Sequence, residues 1–259
     1  MSETASVIIP DGYTFKSLIE IIHSCHESGN LIFTPIGIKY EQISLEGDIL
    51  IEFLLRRQDL LEYKIMRESH KCGLYMPTFR ALTKTLTKKD SLALRIIVED
   101  GKSNIEMKPS TKSSISYYRL VTIPQDDFIE YSRPESANVT IPVQEFSKTC
   151  LDLSKSSHTF FHIYAQGIKM EGINVDDGHS VNRIVNYGDT TTEVKRLFRV
   201  DRLNMKAFSK IHHLAPSGVI KLYQAGTDPV QIQCPIGYMG TISFYLFSLE
   251  EIESQRAMS

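Results

Sequence analysis

The chain has 259 residues, 42% of them hydrophobic and 23% charged, with a formal net charge of −2. This is the make-up of a soluble globular protein with one or two cored domains, and it excludes one that holds nucleic acid by bulk positive charge. No apolar run approaches a membrane span, and Met1-Ser2-Glu3-Thr4 does not open a signal peptide, so neither a membrane nor a secretory route is expected.

Apolar spacings of three and four predict a first helix over Thr14–Glu27, with Phe15, Leu18, Ile19 and Ile22 on one face. Strands are predicted at Leu31–Phe33 and Asp48–Leu55, and a second helix over Thr78–Lys88 carries Phe79, Leu82 and Leu86. Leu92–Val98 reads as a strand, and Ser113–Leu120, with Tyr117 and Tyr118, as a sheet edge. Residues 121–137 hold Pro124, Pro134, Asp126 and Asp127 around isolated apolar side chains, which reads as an extended connector. A plain linker has little use for Phe128-Ile129, so these two are candidate binding residues. A third helix spans Pro142–Lys155, with Phe146, Cys150 and Leu153 inward and Pro142 suited to its first turn. Strands at Phe160–Tyr164 and Val181–Asn186 precede a fourth helix over Leu203–His213. Strands at Val219–Tyr223, Val230–Cys234 and Thr241–Phe247 follow it. Many strands and few helices, grouped as helix–strands–helix–strands, make the fold class α+β with mostly antiparallel sheets.

Gly37-Ile38-Lys39-Tyr40-Glu41-Gln42-Ile43 returns as Gly167-Ile168-Lys169-Met170-Glu171-Gly172-Ile173. Each copy follows an amphipathic helix and an apolar strand. A pattern that recurs after half the chain points to two copies of one domain, whereas solenoid units run to tens of residues. The expected domains are 1–120 and 138–259, joined by 121–137.

All four helices present cations at helical spacing: Lys16 and His23, then Arg80, Lys84 and Lys88, then Lys148 and Lys155, then Lys206 and Lys210. Acidic residues intrude only at Glu20, Glu27 and Asp152. Any one such face is ordinarily just solvated. Four of them in a mildly acidic chain fit a duplex phosphate backbone, contacted by charge without base readout.

Other motifs carry no chemistry. There is no P-loop, GxGxxG, HExxH or GxSxG, and no cofactor is expected. Cys25, Cys72, Cys150 and Cys234 lie far apart and read as buried thiols. Neighbouring helix positions should send the His212 and His213 rings in different directions. Asp176-Asp177-Gly178-His179 reads as a strand-connecting turn without a fourth metal ligand.

The order of these features resembles the eukaryotic-type DNA sliding clamps, the proliferating cell nuclear antigen (PCNA) family. Leu18-Ile19-Glu20, Gly37-Ile38 with Ile43, Leu50-Ile51, Leu55-Arg56 and Tyr63 follow its first domain, and Phe146–Ser154 is the strongest local match. Pro229–Ile232, Met239-Gly240 and Phe244-Tyr245-Leu246 follow its C-terminal run. The resemblance implies a non-enzymatic ring of three two-domain subunits, with helices lining the hole and sheets outside. Duplex DNA would thread the ring without sequence preference, and a clamp loader would open it. DNA polymerase and other replication and repair proteins would dock by short peptides beneath the connector, on Ile43, Leu50, Phe128, Ile129, Pro229, Tyr245 and Phe247. Subunits would join through edge strands bearing Tyr117, Tyr118 and Ile184. The setting implied is the nucleus or a viral replication compartment. Thr87 and Leu151 stand where the family has basic residues, and Phe247-Ser248 replaces an Ala-Pro pair, divergence that fits a viral or specialised clamp. The alternative is a clamp-like subunit of a checkpoint or viral transcription complex that tethers no polymerase.

Overall fold

A computed structural model describes residues 2–44, 47–99, 102–121, 123, 136–176, 179–224, 226 and 229–247. Its elements begin Ser2–Ile9 (β1), Gly12–Cys25 (α1), Ser28–Thr34 (β2), Gly37–Ile43 (β3), Ile49–Arg56 (β4), Glu62–Ile65 (β5) and His70–Tyr75 (β6). Met76–Thr83 (α2), Leu92–Glu99 (β7), Lys102–Pro109 (β8) and Ser116–Arg119 (β9) follow. Then come Val139–Pro142 (β10), Val143–Leu153 (α3), His158–Tyr164 (β11), Gln166–Asp176 (β12), His179–Asp189 (β13) and Arg196–Val200 (β14). Arg202–Phe208 (α4), Val219–Tyr223 (β15), Val230–Ile236 (β16) and Gly240–Leu246 (β17) complete the order.

The chain divides into two compact units. The first is Met1–Gln42 with Ile51–Asp127 and Ile236–Ile242; the second is Ile43–Leu50 with Phe128–Pro235 and Ser243–Ser259. Strands β4 and β17 are each split between the two. The first unit holds α1, α2, an antiparallel sheet β5-β1-β7-β8-β9 and the strand run β6-β2-β3-β4. The second holds α3, α4, an antiparallel sheet β13-β12-β11-β14 and the run β10-β15-β16-β17. The class is α+β with two helices per unit.

The two copies of G-I-K-x-E-x-I occupy the same place in each unit. Gly37 opens β3 opposite Thr34, and Gly167 lies opposite Tyr164, so each glycine closes a hairpin with a two-residue loop. A Cβ on Gly37 would run into the carbonyl of Leu55 on one flank, and a Cβ on Gly167 into that of Asp189. The close approach of a neighbouring strand therefore explains both glycines.

The first and third helices bury the expected stripes, while in the second Phe79 is buried, Leu82 is half-buried and Leu86 lies past the helix end. Phe15, Leu18, Ile19 and Ile22 are fully buried in the first unit, as are Phe146, Cys150, Leu153 and Phe208 in the second. Phe208 meets Phe146, Phe161 and Phe244 at ring-centroid distances of 5.9, 6.2 and 5.0 Å. Helix ends differ from expectation for local reasons. Asp11 caps α1, so the helix starts at Gly12. The second helix stops at Thr83, whose hydroxyl donates to the Arg80 carbonyl, and Asp90 folds the following residues into a turn of their own. The fourth breaks after Phe208 into a short 3-10 turn, Ile211–His213. No strand is predicted before Thr14, yet β1 buries Ala5, Val7 and Ile9 on alternate positions against β7.

Candidate nucleic-acid interface and docking cluster

Of the nine cations expected on helix faces, Lys16, His23, Arg80, Lys148 and Lys206 lie on helices. Lys84 is the C-cap of α2, and Lys88, Lys155 and Lys210 lie beyond helix ends, correcting the expected helical placement of these four. The earlier helix stops move them, and a cation just past a helix C-terminus complements its partial negative charge. Arg80, Lys84, Lys88, Lys148, Lys155 and Lys206 are exposed, while Lys16, His23 and Lys210 are half-buried.

Four of the carboxylates near the helices are occupied. In the first unit Asp11 accepts the Thr14 N–H and hydroxyl at 2.9 and 2.7 Å. Asp90 accepts the Thr87 N–H and hydroxyl at 2.8 and 2.7 Å, and the hydroxyl and N–H of Thr111 on its other oxygen. Hydrogen bonds from Thr111 and Thr87 hold its carboxyl well below the usual range. In the second unit Asp201 caps α4 through the Asn204 N–H at 2.6 Å, and Asp152 pairs with Arg183 at 2.7 Å. Among the described residues, no carboxylate oxygen comes within 4.0 Å of the charged nitrogens of Arg80, Lys84, Lys88, Lys148, Lys155 or Lys206. Each unit thus presents exposed cations on or beside its helices that are not neutralised by an ion pair among the described residues, although the whole chain is slightly acidic.

The expected docking residues come together in part. Leu50, Tyr245 and Phe247 form an apolar cluster in the second unit, with Ile43 packed against it. Tyr245 and Phe247 lie two apart and so face one way. The Phe247 N–H donates to the Asp48 carbonyl at 3.0 Å, and Asn204 Nδ2 donates to the Asp48 carboxylate at 3.1 Å, tying Asp48 to the start of α4. The Tyr245 hydroxyl accepts from Gln231 Nε2 at 3.2 Å. Leu50, Tyr245 and Phe247 are 3, 9 and 6% exposed, and Pro229 is buried, so little of this cluster faces solvent. Adjacent apolar groups pack on one another rather than stay wet, and Ile43 is the partly exposed member. Phe128 and Ile129 lie outside the described residues.

Both expected edges are edges. The β9 strand ends the five-stranded sheet and β13 ends the four-stranded one. Tyr117 is 64% exposed and Ile184 50%. Tyr118 is a correction: it is buried, its hydroxyl accepts the Tyr75 N–H at 2.6 Å, and its ring meets Phe79 edge-on at 5.9 Å. Successive strand residues point to opposite faces, so only one tyrosine of the pair can face outward.

Among the described residues, Cys72, Cys150 and Cys234 are buried thiols outside any disulfide, and Cys25 is half-buried; burial pushes the Cys234 thiol up to about 12. The His212 and His213 rings do not diverge. The tight 3-10 turn brings their centroids to 3.9 Å, with His212 Nδ1 against the Ser209 carbonyl at 2.9 Å. Asp176 and His179 lie opposite each other in the β12–β13 register, while Asp177 and Gly178 lie outside the described residues.

Three contributors escaped sequence reasoning. Arg183 sits on a strand and neutralises Asp152 from 31 positions away. Asn204 links two carboxylates, Asp48 and Asp201, separated widely in sequence. Tyr13 is approached by two lysines: Lys16 and Lys88 Nζ lie 5.6 and 5.5 Å from its ring centroid. Only the Tyr13–Lys16 spacing of three was a usable signal.

The fold defined by these two units is that of the PCNA-type DNA sliding clamps. No family model and no curated protein matches the sequence. Among solved structures, PCNA from Entamoeba histolytica is similar at a TM-score of 0.74 and 16% identity, over 95% of this chain and 98% of that one. The PCNA2–PCNA3 complex of Sulfolobus tokodaii matches at 0.68 and 16% identity, over 93% of this chain and 98% of that one. PCNA of A. fulgidus, solved with the C-terminal region of FEN-1 bound, matches at 0.71 and 18% identity, over 93% and 97%.

Proposed function

We propose that this chain is a DNA sliding clamp subunit that acts without catalysis or cofactor. Three copies close a ring by pairing β9 of one subunit with β13 of the next. This head-to-tail contact closes when the rotation fits. The ring encircles duplex DNA, and the cationic helix surfaces touch phosphates transiently. A clamp loader places it on DNA, and DNA polymerase and other replication or repair proteins dock by peptides at the cluster of Ile43, Leu50, Tyr245 and Phe247. The work site is the nucleus or a viral replication compartment.

The observation that carries this reading is the selective use of acids. Asp11, Asp90, Asp152 and Asp201 are spent on caps, a turn and one ion pair, so the cations beside them remain available on a chain of net charge −2. The PCNA-type fold supports it, as do a partner peptide on one similar protein and a heteromer formed by another. The test combines light scattering with a primer-extension assay. A trimer is expected, with short linear duplex bound weakly and with a steep salt dependence, about −0.9 in log–log slope per phosphate neutralised. Lys84→Glu with Lys148→Glu should keep the trimer and lose processivity. A monomer at micromolar concentration, or unchanged processivity in that double variant, overturns the reading.

A further inference from the structure

Tyr13 is the second residue of α1, and Lys16, three positions on, lies on the same side of the helix. Lys88 arrives from a distant part of the chain. Asp90 accepts the N–H and hydroxyl of Thr87, which closes the turn that carries Lys88, and the Asp90 carbonyl accepts the Gly12 N–H at 2.8 Å, which pins that turn to the start of α1. The Lys16 ammonium also donates to the Leu86 carbonyl at 3.5 Å, in the segment that leads into the same turn. Both ammonium groups end within 6 Å of the Tyr13 ring centroid, which places them no more than about 11 Å from each other. Two like charges gathered at one ring repel, and an aromatic ring is a neutral group that draws a cation towards its face without cancelling its charge.

We infer that Tyr13, Lys16 and Lys88 form one preorganised two-cation bay for oxyanions of a phosphodiester backbone, in which Tyr13 is the positioning residue. The inference rests on the clamp reading for its natural ligand. It adds that the cations are not equivalent: these two are held ready, whereas Lys148, Lys155 and Lys206 show no such ring beside them among the described residues. Lysine ordering is a cost that most surface lysines meet only on binding. Here it is met in the free protein, so the bay contributes more to phosphate contact than its charge alone.

Duplex binding at low salt and pyrophosphate titration followed by the Nζ resonances of Lys16 and Lys88 test it together. The proteins are full-length wild type, Tyr13→Phe, Tyr13→Leu, Lys16→Gln with Lys88→Gln, and that double variant combined with Tyr13→Leu. Melting curves confirm folding. Tyr13→Leu leaves the net charge unchanged but should weaken duplex binding roughly three- to fivefold; Tyr13→Phe keeps the ring and should rescue it. Adding Tyr13→Leu to the lysine double variant should cause no further loss. Pyrophosphate should shift both lysine resonances together in wild type and Tyr13→Phe, and not in Tyr13→Leu. Wild-type duplex affinity in Tyr13→Leu, or independent lysine shifts, overturns the bay. Failure of wild type to bind duplex while pyrophosphate still moves both lysines together sinks the clamp reading and leaves the bay standing.

Discussion

The two units begin from the same seven-residue pattern and part company at its outward positions. Ile38 and Tyr40 in one copy, and Ile168 and Met170 in the other, are buried; the lysine and glutamate that alternate with them are not. Outward, the second copy builds a small network. Glu171 accepts from Asn182 at 3.3 Å and lies 3.4 Å from Lys169 and 2.9 Å from His162. Burial lowers the His162 pKa, with the Lys169 charge adding to it. The inward positions fix the hairpin in both units, and the outward ones vary because solvent accepts many solutions there. The helix ends differ as well. The C-cap of α1 is His26, buried against Tyr40, while that of α3 is Ser154. The first helix has an aspartate cap and α3 starts from Pro142 with no side-chain cap bond. Shared fold therefore does not mean shared response to mutation or pH.

The largest break in the comparison should come from the second unit's aromatic core. Phe208→Ala removes the ring on which three others converge and should cost about 3–5 kcal/mol. Phe79→Ala in the first unit, where Phe79 meets Phe15 and Tyr118, should cost a similar amount. Urea unfolding read by protease sensitivity in each unit should show which one opens; identical patterns for both variants would mean the units unfold as one.

Acid should separate the units next. Burial lowers the His26 pKa from 6.5 to about 4. The folded state thus binds this proton more weakly than the unfolded chain does. The associated stability is complete above the unfolded value and is lost as pH falls from there through the folded value, roughly 2 kcal/mol by pH 5. Nδ1 bonds the Tyr40 hydroxyl at 2.9 Å, and Nε2 is buried without a hydrogen-bond partner among the described residues, so a second proton has nowhere to be solvated. Urea melts at pH 7 and pH 5 should show the loss in wild type and a flatter profile in His26→Gln.

A smaller effect should follow loss of a cap. Asp11→Ala should cost about 1 kcal/mol, whereas a change at Pro142 removes no side-chain cap bond. Thermal melts of the two variants should differ accordingly. Smallest in stability is Arg183→Ala. Its partner Asp152 is on α3, but the arginine side chain is 58% exposed, and such pairs contribute within about 1 kcal/mol. Its informative readout is duplex affinity, which should fall because a carboxylate beside Lys148 and Lys155 is unmasked.

The sequence by itself determined the helix stripes, the hairpin repeat, the α+β class and the sheet edges, because periods of 3.6 and 2 write burial directly into residue order. Phe15, Phe146 and Phe208 were legible in that way, and so was the set of cations on and beyond the helices. Tertiary structure alone decided how those cations and their neighbours are used. The pairing of Asp152 with Arg183, the bridging of Asp48 and Asp201 by Asn204, and the arrival of Lys88 beside Tyr13 join residues far apart in the chain, and no local period encodes such meetings. The same holds for Tyr118: its neighbour Tyr117 was equally plausible as an outward residue, and only the register of β9 on β8 decides which of the two reaches Phe79 and which reaches solvent.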